Sequence, residues 1–245
     1  MDLLVVGAGE MGRWFAQYCG ATSITYTDVN FETARAAAER HQTRAISIDT
    51  QERFDVVCIA VPIIEVPSAI SSHAEQAQKA IIDVSGEMQN AVNALQIHAA
   101  DIERASFHPL FSAQNAPGNI PVVIDNEGPS ITAIIESLEA AGNTVFSTSI
   151  QEHDQAMKTV QARTHAAILS FALAADPVDD RFHTTISKPL QKLVDDVTGN
   201  NPAVYAAIQE RFDGAEDIAH FANQLASADS DTFEELYSKA SQSSK

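Results

Sequence analysis

The chain has 245 residues, 45% of them hydrophobic, which is enough for one large domain or two modest ones with a real core. Its 33 acidic residues outnumber 15 basic ones, giving a formal net charge of −18, and this argues against nucleic acid or an anionic membrane as partner, since both require positive charge. The acids are dispersed and Lys is scarce, as suits a protein adapted to high salt, where screening suppresses self-repulsion; an ordinary acidic protein is the plainer alternative.

The first element is a short apolar strand, Leu3 to Val6, running into Gly7, Gly9 and Gly12 in G-x-G-x-x-G spacing, with a helix continuing through Arg13 to Cys19. Gly7 permits a tight turn, Gly9 leaves room for a pyrophosphate, and Gly12 lets the helix lie close on the sheet. The helix start, including Met11, then offers N–H groups and a positive dipole end to phosphates. A second strand, Ser23 to Thr27, ends at Asp28, near the position where an acid accepts the ribose hydroxyls and repels a 2′-phosphate. This context predicts a dinucleotide site selecting NAD over NADP; a glycine turn with Asp28 as a helix cap is the bland reading.

A helix over Phe31 to His41 and a strand over Arg44 to Ile48 follow. Asp55 to Val61 is an uninterrupted apolar strand of the kind covered on both faces, and Val61-Pro62 at its end falls where open α/β sheets bind ligands. Ile63 to Gln78 is helical with an irregular start at Pro67. Lys79 to Val84 is a strand running into Ser85-Gly86-Glu87; Gln89 to Ala100 is a helix; Ala105 to Phe107 leads into His108-Pro109. Pro121 to Ile124 and Thr144 to Ser147 are strands around a helix from Pro129 to Ala141. The alternation predicts a doubly wound, Rossmann-type parallel α/β sheet.

After residue 150 no strand is convincing. Glu152 to Ala175 reads as one long helix, three or more helices follow to about Ala240, and the tail Ser241 to Lys245 is expected to fray. The chain therefore divides into a dinucleotide-binding domain, 1–150, and an all-helical domain, 151–245. The run Ala166 to Ala175 is apolar all round, which predicts burial partly against a second subunit and a homodimer through the helical domain. Cys19 and Cys58 read as reduced, buried thiols. No apolar stretch approaches the roughly 20 residues of a membrane span and no signal peptide precedes the first strand, so a cytoplasmic protein is expected. No Cys/His cluster has metal-site spacing, so no metal is expected.

His108 is the leading catalytic candidate: an imidazole past a strand end, followed by Leu110 and Phe111, is suited to take a proton from a substrate hydroxyl, although a strand-end His bonded to backbone is an equal reading. His153-Asp154 lies in the first turn of the long helix, where capping accounts for it. Gln161 and His165, at i and i+4, share a face and are candidates for a substrate pocket, against a satisfied core His.

Three stretches taken together, Gly7 to Phe15, Phe107-His-Pro-Leu-Phe111 and Glu152-His-Asp…Gln161…His165, resemble the prephenate dehydrogenase family, as does Asn201-Pro-Ala-Val-Tyr205 with Ile208-Gln209. The resemblance spans most of the chain. It implies NAD-dependent oxidative decarboxylation of prephenate to 4-hydroxyphenylpyruvate, the precursor of tyrosine, with arogenate as a related substrate. His108 matches the family's catalytic histidine, and Gln161 and His165 match the helix facing the substrate. There are two departures. The family's Ser-x-Lys after the fifth strand is here Asp83-Val-Ser-Gly, leaving Ser85 displaced by one position as the candidate to assist His108. The family's substrate-binding arginine is replaced by Asp195-Asp196, so Arg163, Arg181, Lys188 and Lys192 are the available cations, with Arg163 the preferred one. These departures keep open a dehydrogenase of another small acid and a non-catalytic dinucleotide sensor.

Overall fold

Residues 1–243 are described by the structure, a computed structural model. Strand β1 (Asp2–Val6) alternates its side chains between two buried faces, Leu3 and Val5 to one and Leu4 and Val6 to the other, which is why the run is apolar without interruption. Around it lie β2 (Ser23–Thr27), β3 (Arg44–Ala45), β4 (Phe54–Ile59), β5 (Ala77–Val84), β6 (Glu103–Phe107), β7 (Asn119–Asn126) and β8 (Thr144–Ser147). They form one eight-stranded sheet in the order β3-β2-β1-β4-β5-β6-β7-β8.

Helices cover both faces. Helices α1 (Glu10–Tyr18), α2 (Phe31–His41) and α5 (Pro129–Ala140) place Phe15, Ala34 and Ile134 over Leu3, Val5, Val56 and Ile82. Helices α3 (Val66–His73) and α4 (Gln89–His98) place Ile70 and Leu95 over Leu4, Val57, Ile59 and Ile81. The fold is thus the expected Rossmann-type doubly wound sheet followed by helices, with one difference: β7 runs antiparallel to β6, while all other pairs are parallel. No helix joins β6 to β7, only a loop with a 3₁₀ turn at Ala113–Asn115, so the chain returns beside β6 in the opposite sense. The β3 strand is two residues rather than five, and the irregular start before α3 is a 3₁₀ turn, Ile63–Glu65.

The chain divides into two compact units, Met1–Asp154 and Gln155–Lys245, with the division inside a helix. That helix is continuous but not uniform: α6 (Ile150–Met157) passes through a π turn, Lys158–Arg163, into α7 (Thr164–Ala174). Helices α8 (Ser187–Thr198), α9 (Pro202–Phe212), α10 (Ala215–Ser227) and α11 (Ser230–Ser243) complete the second unit. Ile168 of α7 packs with Val194 and Val197 of α8. Ser241 to Ser243 continue α11 where fraying was expected, and the last two residues of that tail lie outside the described residues.

Candidate active site

The parallel strands β2, β1, β4, β5 and β6 all end at one edge of the sheet, and the order reverses between β1 and β4, where α/β sheets open a ligand crevice. At the end of β1, Gly7 has φ +95°, and a β-carbon there would collide with the Ala60 carbonyl. Gly12 lies so close to the turn that its β-carbon would strike the Gly7 carbonyl oxygen. Gly9, the N-cap of α1, is different: nothing lies within 4 Å of where its β-carbon would be. Two glycines are therefore required by packing, and the third borders open space beside the helix N-terminus.

Asp28 at the end of β2 closes this cradle. Its Oδ2 accepts the Ala8 N–H at 2.9 Å and its Oδ1 accepts the Asn30 N–H at 2.9 Å. The cap of α2 is Asn30, whose side chain accepts from Glu32, so Asp28 braces the glycine turn instead of capping the helix. Val61, just past β4, abuts Gly7, and exposed Pro62 starts the 3₁₀ turn. Met11 is partly buried against the core. Open space at Gly9, a helix N-terminus and a half-buried carboxylate at the next strand end fit the phosphate and ribose of a dinucleotide.

Further along the same edge, Asp83 near the end of β5 meets Ser85 in the turn that follows, which also carries Glu87. Ser85 Oγ donates to Asp83 Oδ2 at 2.6 Å, and the Ser85 N–H donates to the same oxygen at 3.1 Å. The hydroxyl of Ser85, the candidate to assist His108, is turned into its own loop, with the buried Asp83 carboxyl and the Glu87 carbonyl at 3.0 Å as its acceptors. Burial lifts the Asp83 carboxyl to about 7 despite the Ser85 hydrogen bonds. The Glu87 carboxylate accepts the Asn90 N–H at the start of α4.

His108 follows β6, buried, its N–H held by the Pro121 carbonyl at 3.0 Å. A β-carbon on Gly86 would stand 3.4 Å from its Nε2, so the imidazole edge faces the turn after β5. Its Nδ1 lies 2.9 Å from Nε2 of His153, whose Nδ1 is in turn 3.0 Å from Asp154 Oδ1. Burial, reinforced by His153, lowers the His108 pKa to about 3. The capping account of His153 is thereby corrected: its side chain is fully buried and contacts His108, 45 positions earlier in the chain. No local signal marks that contact.

In the second unit, the π turn carries Gln161 and Arg163, and α7 carries His165. The His165 ring packs edge-on against Tyr205 at 4.8 Å, and its Nδ1 is buried without a hydrogen-bond partner among the described residues. Gln209 donates from Nε2 to the Ala162 carbonyl inside the π turn at 2.8 Å. Arg163, proposed from sequence as a substrate cation, is engaged through Nε and Nη2 with Asp217 at 2.9 and 2.7 Å. Any anionic ligand at Arg163 must compete with that carboxylate.

Residues 2–87 match the family described as NADP oxidoreductase, coenzyme F420-dependent. A 4-amino-4-deoxyprephenate dehydrogenase of Streptomyces pristinaespiralis is 25% identical over 87% of this chain and 78% of its own length. The chain is similar to prephenate and arogenate dehydrogenases. A probable arogenate/prephenate dehydrogenase of Methanocaldococcus jannaschii is 22% identical over 84% of this chain, which spans half the length of that protein. The fold matches the crystal structure of prephenate dehydrogenase from Aquifex aeolicus in complex with hydroxyphenyl propionate and NAD+, at 17% identity, a TM-score of 0.73 and coverage of 99% of this chain and 92% of that one.

Proposed function

We propose that the chain is an NAD-dependent dehydrogenase that oxidises prephenate, with loss of carbon dioxide, to 4-hydroxyphenylpyruvate. The observation that carries this reading is a buried, neutral His108 on the strand-end edge that also holds the glycine turn and Asp28. Gly7, Gly9, Gly12, Met11, Asp28, Val61 and Pro62 are assigned to the dinucleotide. When bound, NAD accepts the hydride from the ring carbon that bears the hydroxyl. His108 accepts the hydroxyl's hydrogen bond, so that electron density moves toward the carbon losing hydride, and the proton returns to the phenol oxygen as the C–CO2 bond breaks and the ring becomes aromatic. Ser85, held by Asp83, supports the turn facing His108; Gln161 and His165 stay candidates for substrate contact, and Arg163 is available to a carboxylate only by exchange with Asp217.

A second substrate follows from the Streptomyces relative, whose name places an amino group on the ring where prephenate carries its hydroxyl. An imidazole lone pair accepts from an N–H as from an O–H. The test is NADH formation from prephenate, arogenate and 4-amino-4-deoxyprephenate, in low and in molar KCl, with the aromatic product identified. Production from one of them fixes the substrate, and a rise in rate with salt supports a halophilic origin. No NADH from any, with NAD binding measured separately, rejects this reading in favour of another small acid or a cofactor sensor.

We also infer a homodimer through the helical unit. Leu173, on the apolar α7, is 89% exposed, and Phe182 and Ile186 are 73% and 79% exposed, which leaves three large apolar side chains of this unit uncovered. A monomeric mass in sedimentation across the salt range would remove this inference. No helix among the described residues is long and apolar enough to cross a membrane, and buried, unbridged Cys19 and Cys58 fit a cytoplasmic location.

A further inference from the structure

We propose that Asp154 and His153 fix the tautomer of His108, so that His108 carries its proton on Nδ1 and presents a lone pair at Nε2. The geometry rests on two successive contacts that share the His153 ring. Asp154 Oδ1 is 3.0 Å from His153 Nδ1, and a carboxylate only accepts, so His153 Nδ1–H donates. One N–H is assigned to each imidazole, so His153 Nε2 is left as an acceptor. The 2.9 Å contact to His108 Nδ1 then requires the His108 Nδ1–H to donate. His108 is held neutral by burial, so its only proton is committed to His153. Its Nε2, on the edge facing Gly86, therefore accepts.

The consequence deepens the proposed function and rests on it. A substrate hydroxyl needs an acceptor at Nε2; the opposite tautomer would offer an N–H to the hydroxyl oxygen and oppose its oxidation. As Nε2 takes the hydroxyl proton, Nδ1–H stays in place, and the charge on the His108 ring is stabilised through His153 by the Asp154 carboxylate. The proton leaves Nε2 for the phenol oxygen, so none is gained or lost. His153 and Asp154 are positioning residues, acting only through His108. Their adjacency in sequence to one another, and not to His108, allows α6 to deliver both from a single turn.

The test reads the tautomer directly, by nitrogen-15 NMR of the histidine ring nitrogens in the full chain, with His108 assigned by loss of its signals in His108→Asn. Protonation at Nδ1 is expected; protonation at Nε2 in the unmodified protein overturns the proposal whatever the activity. Asp154→Leu, at a partly exposed position, removes the final acceptor. It is expected to mix the two His108 tautomers and to lower kcat about 10–100-fold with KM and NAD affinity little changed. Asp154→Asn keeps an oxygen that accepts and is expected to retain the tautomer and more of kcat. An unchanged tautomer and kcat in Asp154→Leu also overturns the proposal. The spectrum needs no substrate, so an expected tautomer with no turnover of any tested acid would reject the proposed function while leaving the His108–His153–Asp154 assignment standing.

Discussion

The Ala8 N–H donates to Asp28 Oδ2 at 2.9 Å, so the acid expected to hold a ribose also anchors the turn meant to hold phosphates. Asp28→Ala removes both functions together. We expect it to weaken NAD by at least about tenfold, roughly 1.4 kcal/mol, and to narrow the preference over NADP. Titration with each cofactor reads both quantities, and an unchanged preference would show that the ribose is held elsewhere.

The two conserving demands on the glycine turn separate cleanly. Gly12→Ala forces a β-carbon into the Gly7 carbonyl oxygen, with Ala60 and Val5 also within 3.1 Å, and overpacking of this kind costs about 1–3 kcal/mol. Gly9→Ala meets nothing in the protein itself. Thermal unfolding should therefore drop for Gly12→Ala and stay level for Gly9→Ala, while calorimetric NAD binding falls in both. Full NAD affinity in Gly9→Ala would move the pyrophosphate away from that residue.

His108→Asn should lower turnover by about 10²–10⁴-fold and leave NAD affinity nearly intact, since it removes a proton acceptor and no cofactor contact. An unchanged rate would take His108 out of the chemistry. The same histidine shapes acid stability. Its folded pKa of about 3 lies below the ordinary value of 6.5, so the unfolded chain binds the extra proton between them. The stabilisation is complete above about 6.5 and is lost as pH falls toward 3. In His108→Asn the denaturation midpoint should fall less steeply across that range.

Asp83 works in the opposite sense. Burial, with Glu87 adding to it, raises its folded pKa to about 7 from an ordinary 3.8, so here the folded state binds the extra proton. Its contribution is complete below about 3.8 and is lost as pH rises through 7. Asp83→Asn keeps an acceptor for Ser85 and removes the ionisation. Its urea midpoint should gain on that of the parent as pH climbs from 4 to 8; parallel curves would show that Asp83 does not titrate in this window.

Much of the first unit was legible because its signals are local. The helix over Phe31 to His41 and the strand over Thr144 to Ser147 appear with the bounds that periodicity predicts, and β4 and β5 shift by two residues at most at either end. What periodicity could not carry were relationships fixed by packing. The reversal of β7 depends on how a loop returns to β6, and Arg163 is taken by Asp217, 54 positions away. His153 was read through its neighbours on the helix, which explain it sufficiently, whereas its decisive partner His108 lies on another element. The π turn was invisible for a related reason: Lys158 to Arg163 contains no Gly or Pro to mark a break, and the sequence continues the helical pattern through it.

That π turn has a consequence for insertions and deletions. A π turn closes its hydrogen bonds one residue later than an α turn, so the helix accommodates one surplus residue there. Gln209, whose amide reaches the Ala162 carbonyl within it, meets the place where the regular ladder loosens. Removing a single residue between Lys158 and Arg163 lets the helix revert to α geometry with Met157 and His165 keeping their relative orientation, because the surplus residue is the one lost. His165 then stays on Tyr205 and Ile168 and Leu169 stay on Val194 and Val197, whereas adding a residue that the turn does not absorb rotates them by about 100°. Over these six residues the helix thus accepts the loss of one position but not the gain of another.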